Sequence, residues 1–286
     1  MNRREFLAGA AAGLGAAYLA PSAVAAPLAP TALPQKFQAT DTVVLGKTGI
    51  RTTRLAMGTG TMGFGGGSNQ TRTGALSRLL LNGYDNGLIF FDTADSYGSH
   101  PAVSDALQHI PRDKAIVMTK CDSRDPKEAK ADLYRYLKEL KTDYIDICLI
   151  HCVTEDDWTQ RYRGVMDVFS EAKEKGIIRS HGVSCHSIGA LRAAAKSPWV
   201  EVDLVRLNPI GAHMDADPST VIGVIKEMRA QGKGIIGMKI LGQGAMRTRQ
   251  DEAIKFALGS GVLDAFTIGA ENQQEQKDLV RRIATA

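Results

Sequence analysis

Four side chains in this sequence could move a proton, and each stands where an apolar run gives way to polar residues: Asp92, Tyr97, Lys120 and His151. Asp92 and Tyr97 share the stretch FDTADSYGSH, Lys120 ends AIVMTK, and His151 ends IDICLIH. Each alone reads plainly, since Asp and Ser cap helices, a strand-end lysine is usually solvated and a lone histidine usually packs or caps. Brought together, they have a chemical use. A phenol is too weak an acid to release its proton near neutral pH, and a neighbouring ammonium favours the phenolate. Lys120 could act on Tyr97 in that way, with Asp92 holding Lys120 charged and in place. Tyr97 would then serve as a general acid when a carbonyl is reduced, or as a base when an alcohol is oxidised. His151 would hydrogen-bond the same oxygen and orient it.

Convergence of these groups requires a fold that gathers strand ends. From about residue 54 onward, short β-branched runs alternate with amphipathic stretches: TRLAMG, LIFFDTA, AIVMTK, IDICLIH, SHGVSC, VDLVRLN, GIIGMKI and DAFTIGA, each followed by a helical pattern. In the third helix Leu133, Leu137 and Leu140 fall on one face, as a helix lying on a sheet requires. Gly176, Gly232 and Gly261 end helices where a left-handed cap is wanted. Eight strand–helix pairs in about 230 residues predict an α/β fold of the parallel (β/α)8 TIM-barrel type, whose strand C-termini and loops form one face. The rival is a doubly wound dinucleotide-binding sheet. Its G-x-G-x-x-G fingerprint occurs once, from Gly58 to Gly63, in a loop that is glycine-rich throughout, and no acidic residue ends the second strand at the distance a ribose needs. Ahead of the barrel, TVVLGKTGIRTTRL predicts a β-hairpin that plugs its N-terminal end.

The 286 residues carry a formal net charge of +4 and 44% hydrophobic side chains, enough for an ample core. Residues 1–25 read separately. Arg3-Arg4, then Phe6-Leu7, a Gly/Ala-rich apolar run and Ala23-Val24-Ala25 follow the order of an export signal with cleavage near Ala25, and the paired arginines resemble a twin-arginine signal. Gly and Ala supply too little hydrophobicity for a membrane anchor, so a periplasmic or otherwise exported protein carried by the twin-arginine machinery is expected. Without Arg3, Arg4 and Glu5 the net charge stays near +3 with no basic cluster, which gives no case for nucleic-acid binding. Residues 26–40 are Pro-rich and lack periodicity, a linker or strap before a single catalytic barrel at 41–286. The four cysteines have no metal or iron–sulfur spacing and are expected as free thiols. Cys148 and Cys152 are too far apart along one strand to bond each other.

FDTADSYG, MTK and LIH at successive strand ends resemble the aldo-keto reductase family from about Thr42 to the C-terminus, as do LGKTGI, MGTGTMGFGG and the loop-to-helix stretch GSHPAVSDAL. The resemblance implies that Asp92, Tyr97, Lys120 and His151 form a catalytic tetrad. It implies hydride transfer between NADP(H) or NAD(H) and a small carbonyl compound or its alcohol. It also places the coenzyme along the rim against Gly60, Thr61, Ser184, Lys239, Leu241, Gly242, Gly244, Gly269 and Glu271, with no metal. In LGQGAM the glycines allow close backbone approach to a phosphate. Several positions depart from the family's commoner pattern: Ser184 is followed by Cys185 rather than Asn, Leu204 stands for a glutamine, and Met238-Lys239 stand for an aromatic residue. Lys239 could meet coenzyme, substrate or solvent.

After the last strand the chain reads IGAENQQEQKD, with Glu271 where NADP-specific relatives place basic residues. A carboxylate there would repel a 2′-phosphate and could accept from a ribose diol, so NAD acceptance is expected. The chain stops soon after the eighth helix, which suggests an open substrate site or one closed by a partner subunit or the strap. Arg206 and His213 could meet an anionic substrate, or be an ion pair and a surface histidine. Two other functions compete: a non-catalytic barrel that binds a nucleotide or a partner, and an enzyme that cycles a tightly held coenzyme between two substrates.

Overall fold

Alternate residues of a strand face opposite ways, and the barrel's inward stripes are apolar below and polar above. A computed structural model describes residues 36–286. A two-stranded antiparallel hairpin, β1 (Thr42–Val44) and β2 (Arg51–Thr53), leads into eight parallel strands that close on themselves. These are β3 (Leu55–Gly58), β4 (Phe90–Asp92), β5 (Ile116–Cys121), β6 (Ile145–Val153), β7 (Ile178–Cys185), β8 (Val202–Arg206), β9 (Gly234–Met238) and β10 (Ala265–Ile268), with β10 pairing both β9 and β3. The predicted eight-stranded barrel and its hairpin are the observed architecture.

Inside the barrel, Ala56, Phe90, Met118, Leu149, Leu204 and Ala265 belong to one buried cluster that also takes in Leu45 and Ile50 from the hairpin. The hairpin turn presses on the lower rim: a β carbon on Gly46 would lie 2.3 Å from the Gly232 carbonyl oxygen, and Lys47 N–H donates to that oxygen at 2.8 Å. This is the plug read from TVVLGKTGIRTTRL. A larger apolar layer lies between barrel and helices, built on Leu133, Leu140, Phe169, Leu191 and Ile254 among others. Leu137 is only partly buried and packs on that layer from its edge. Gly176, Gly232 and Gly261 have φ of +72°, +85° and +64° and end their helices as expected.

Two boundaries differ from expectation. The compact unit begins at Lys36, because Ala39 is buried, Arg54 lies 4.9 Å over the Phe37 ring, and Leu55 N–H donates to the Ala39 carbonyl. The end of the Pro-rich stretch is therefore a strap on the barrel; the expected signal at 1–25 and residues 26–35 lie outside the described residues. The fourth helix breaks at Tyr162 into Trp158–Arg161 and Arg163–Glu174, where one helix was read. The four cysteines are free, three of them buried, and no described helix is long and apolar enough to cross a membrane.

Candidate active site

Strand period brings the chemistry to one mouth. Asp92 is two residues above Phe90, Lys120 two above Met118, and His151 two above Leu149, so all three continue inward stripes whose lower members fill the barrel. Register supports this, since β4 aligns Asp92 with Met118 and β5 aligns Lys120 with Leu149. A register shift between Ile150 and Val153, with Cys152 at φ +52°, bends the end of β6 around His151.

Lys120 is wholly buried, and two of its ammonium's three hydrogens have acceptors among the described residues. Nζ donates to Asp92 Oδ1 at 2.5 Å and to the Thr93 carbonyl at 2.7 Å. The other Asp92 oxygen accepts from Thr267 Oγ1 at 2.7 Å, so β10 locks the carboxylate that locks the lysine. Burial alone would discharge Lys120, but Asp92 and then Tyr97 more than offset it and hold the ammonium above its ordinary range.

Tyr97 ends a 3-10 turn, Asp95–Tyr97, closed by Gly98 at φ +63°. The turn is anchored from outside: Arg135 grips Asp95 through two bonds of 2.8 and 2.6 Å, and Tyr136 Oη donates to Asp95 at 3.0 Å. Lys120 Nζ stands 4.6 Å from the Tyr97 ring centroid, and His151 meets that ring edge-on at 5.7 Å. The sequence reading expected Lys120 to lower the phenol's pKa. Lys120 does pull downward, but burial is the larger influence and raises it, so Tyr97 stands above its ordinary value as a protonated phenol.

The histidine has a partner that sequence reasoning missed. His151 Nδ1 lies 2.8 Å from Asp122 Oδ1 and 3.4 Å from Ser96 Oγ, and Arg124 donates to the His151 carbonyl. Burial is the strongest influence on His151 and lowers its pKa; the Asp122 hydrogen bond opposes this without cancelling it. Burial would raise Asp122, yet the hydrogen bond and charge of His151 outweigh it and keep the carboxyl below its ordinary range.

Beside Tyr97 opens a cleft of about 460 Å³. It runs from Asp92 and Tyr97 past Lys239 and Leu241 to Gly244 and Arg247, and along the other wall from Gly60 and Thr61 to Gly269 and Glu271. Of the residues expected against a coenzyme, these seven (Gly60, Thr61, Lys239, Leu241, Gly244, Gly269, Glu271) line it. Ser184 and Gly242 do not: Ser184 is fully buried and accepts from Cys152 N–H at 3.3 Å, while Gly242 N–H donates to the Lys239 carbonyl beneath the surface. Gly242, Gln243 and Gly244 have φ of +56°, +55° and +97°, a left-handed run that turns the chain tightly beside the cleft, which Gln243 and Gly244 line. Arg247, Gln243, Gln250 and Asn69 also line the cleft and were not read. Arg247 comes one residue after LGQGAM, so a loop reading carried one position further would have found it.

The cleft suits a dinucleotide by its donor chemistry. Lys239 and Arg247 have no carboxylate partner among the described residues, which leaves two cations for a pyrophosphate. On the other wall Glu271 accepts from Asn69 Nδ2 at 2.7 Å, a carboxylate–amide pair of the kind that holds a diol. Arg206 pairs with Asp215 through Nε at 3.1 Å, and His213 is exposed, so these two form the ion pair and surface histidine of the plainer alternative. A cluster of Asp95, His100 and Glu139 outside the barrel is filled by Arg135, and both His100 ring nitrogens have partners, at Glu139 and Thr119.

Known proteins share this chain's sequence pattern and fold. The pattern of the Aldo/keto reductase family matches residues 56–279. The uncharacterized oxidoreductase YqkF of Bacillus subtilis is 27% identical over 223 residues, 70% of this chain and 69% of that protein. The NADH-specific methylglyoxal reductase of Escherichia coli is 26% identical over 170 residues, 50% of this chain, so the chain spans about half (51%) of that relative's length. The crystal structure of PA4992 from Pseudomonas aeruginosa superposes with a TM-score of 0.72 at 22% identity, covering 88% of this chain and 98% of that one, a likeness of fold. The chain belongs to the aldo/keto reductase family of NAD(P)-dependent oxidoreductases.

Proposed function

We propose that the protein reduces small aldehydes or ketones with a nicotinamide coenzyme, Tyr97 delivering the proton. The observation that carries this reading is the contact of the Tyr97 ring with the buried Lys120–Asp92 pair at the head of the cleft. A reduced nicotinamide bound there supplies a hydride to the carbonyl carbon. As the π pair moves to oxygen, that oxygen takes the phenol proton of Tyr97, and the phenolate left behind is stabilised by the Lys120 ammonium. Asp92 keeps Lys120 charged and fixed, so no side chain must reorganise as charge develops. The same groups run in reverse take a proton from an alcohol.

Lys239, Gly244 and Arg247 are assigned to the pyrophosphate, and Thr61, Gly269 and Glu271 to the rim on the adenosine side. Gly60 serves by leaving room for Tyr97. Two carboxylates, Glu271 and Glu275, line the same end; they disfavour a 2′-phosphate and support NADH as the preferred coenzyme. The relative named as an NADH-specific methylglyoxal reductase makes methylglyoxal the first substrate to try.

The order of charge and apolarity in residues 1–25 supports twin-arginine export. That route carries folded proteins, so a resident coenzyme could be cycled between an alcohol and a carbonyl. The test is to denature part of the purified mature protein and look for released nucleotide. The remainder is titrated with NADH and NADPH by fluorescence and assayed with methylglyoxal and simple aldehydes. Coenzyme binding with turnover is expected; no binding and no resident nucleotide would contradict the reading.

A further inference from the structure

The mouth of the barrel holds a carboxylate that the proton-delivery scheme leaves without a role. Asp122 lies two residues beyond Lys120, its side chain about 42% exposed, and reaches across to His151 Nδ1 at 2.8 Å. An ionised carboxylate can only accept, so the hydrogen in this bond sits on Nδ1. A neutral imidazole carries one N–H; with that hydrogen on Nδ1, Nε2 presents a lone pair. Nε2 has no partner among the described residues and is not sealed from solvent, whereas the Nδ1 edge is occupied by Asp122 and Ser96.

We propose that Asp122 is a positioning residue that sets the hydrogen-bonding direction of His151: it holds the ring in its Nδ1–H form, so that Nε2 meets the reacting oxygen as an acceptor while the ring is neutral and as a donor only once it is protonated. This rests on the reductase reading above, and it limits the expected hydrogen bond from His151 to a carbonyl oxygen to the protonated ring. A carbonyl oxygen has only lone pairs to offer Nε2, so the neutral ring does not assist its reduction. A bound alcohol can donate its hydroxyl hydrogen to Nε2, so the neutral ring favours oxidation. One proton taken from solvent onto Nε2 gives the carbonyl oxygen a second donor beside the Tyr97 hydroxyl.

The charged and titratable groups around His151 are Asp92 on β4, Tyr97 on its turn, Lys120 on β5, Asp122 and Arg124 after β5, Cys152 beside it, and His186 after β7. The cationic neighbours oppose protonation of the ring and the two aspartates favour it. Burial decides the balance downward, so the change falls below the ordinary histidine value of 6.5. Tyr97, raised, stays protonated throughout that range and does not mask the change.

Two measurements on the mature protein test this. Nitrogen NMR of imidazole-labelled protein at neutral pH should show His151 with a protonated Nδ1 and an unprotonated Nε2; the opposite pattern overturns the proposal. In carbonyl reduction, wild-type kcat/KM should rise about tenfold as pH falls through the His151 transition. Asp122→Ala, which frees the ring to carry its hydrogen on Nε2, should lose that limb and exceed the wild type several-fold at mildly alkaline pH, and Asp122→Glu should restore wild-type behaviour. A variant Asp122→Ala with the wild-type pH profile overturns the positioning role. Absence of turnover in all three proteins would sink the reductase reading instead, and the nitrogen shifts would still decide the form of the ring.

Discussion

Tyr97 lies flat against Gly60: a β carbon on that glycine would stand 2.2 Å from Tyr97 Cε2 and 2.4 Å from Cζ. Gly63 closes the same side, its would-be β carbon 2.7 Å from Tyr97 Cδ1. The glycine-rich loop after β3 therefore shapes the seat of the phenol as well as the wall of the cleft. Gly60→Ala should displace the ring by the better part of an ångström, lowering kcat by roughly a hundredfold and stability by about 1–3 kcal/mol. Steady-state kinetics with a thermal melt checks this; an unchanged kcat would show that the ring's seat tolerates the methyl.

The buried pair of Lys120 and Asp92 gives a second expectation. Lys120→Met leaves Asp92 with Thr267 as its side-chain partner in a site that is nearly closed to water. Removing one member of such a pair costs about 3–5 kcal/mol, and turnover should fall with it because the Tyr97 phenolate loses its counter-charge. Urea unfolding measures the first effect and single-turnover reduction the second. A loss below about 1 kcal/mol, the scale of a surface ion pair, would mean that the pair is wetter than its geometry.

Much of this was legible in the residues. Asp92, Lys120 and His151 sit two positions above Phe90, Met118 and Leu149, and a period of two is a property that a strand carries in its sequence. Eight such strands with helices between them leave few topologies open. Asp122 was not legible, because its role depends on the chain after β5 folding back toward β6, a contact across 29 positions with no local signature. The sign of the Tyr97 shift was missed for a similar reason: the Lys120 charge is visible in a motif, while the burial that outweighs it belongs to the assembled loops. Ser184 was expected at the rim from the family resemblance, yet its hydroxyl is buried and accepts from the Cys152 N–H beside the bulge in β6.

Coenzyme choice should respond to Glu271. It is exposed, lines the far end of the cleft and accepts from Asn69. Glu271→Arg replaces a repulsive charge with a guanidinium that can hold a phosphate. NADPH should gain about tenfold in affinity relative to NADH, about 1.4 kcal/mol. Fluorescence titration with both coenzymes reads the ratio, and a ratio that does not move would place the 2′ position elsewhere along the rim.

Export is tested without touching the barrel. Arg3→Lys with Arg4→Lys keeps the charge of the n-region but removes the arginine pair. The substituted precursor should accumulate inside the cell while the unaltered one is processed near Ala25 and exported. Equal export of both would point to a general secretory route.

If the Tyr97 hydroxyl delivers the proton, Tyr97→Phe must abolish its delivery while sparing coenzyme binding. The substitution removes one oxygen from a ring already seated between Lys120, His151 and Gly60, so the cleft keeps its shape. Protein carrying it should bind NADH as tightly as the wild type, while single-turnover reduction of methylglyoxal falls by a factor of about 10²–10⁴, the usual range for a lost general acid. Turnover within twofold of the wild type, with binding unchanged, would contradict the assignment and leave the proton to another group.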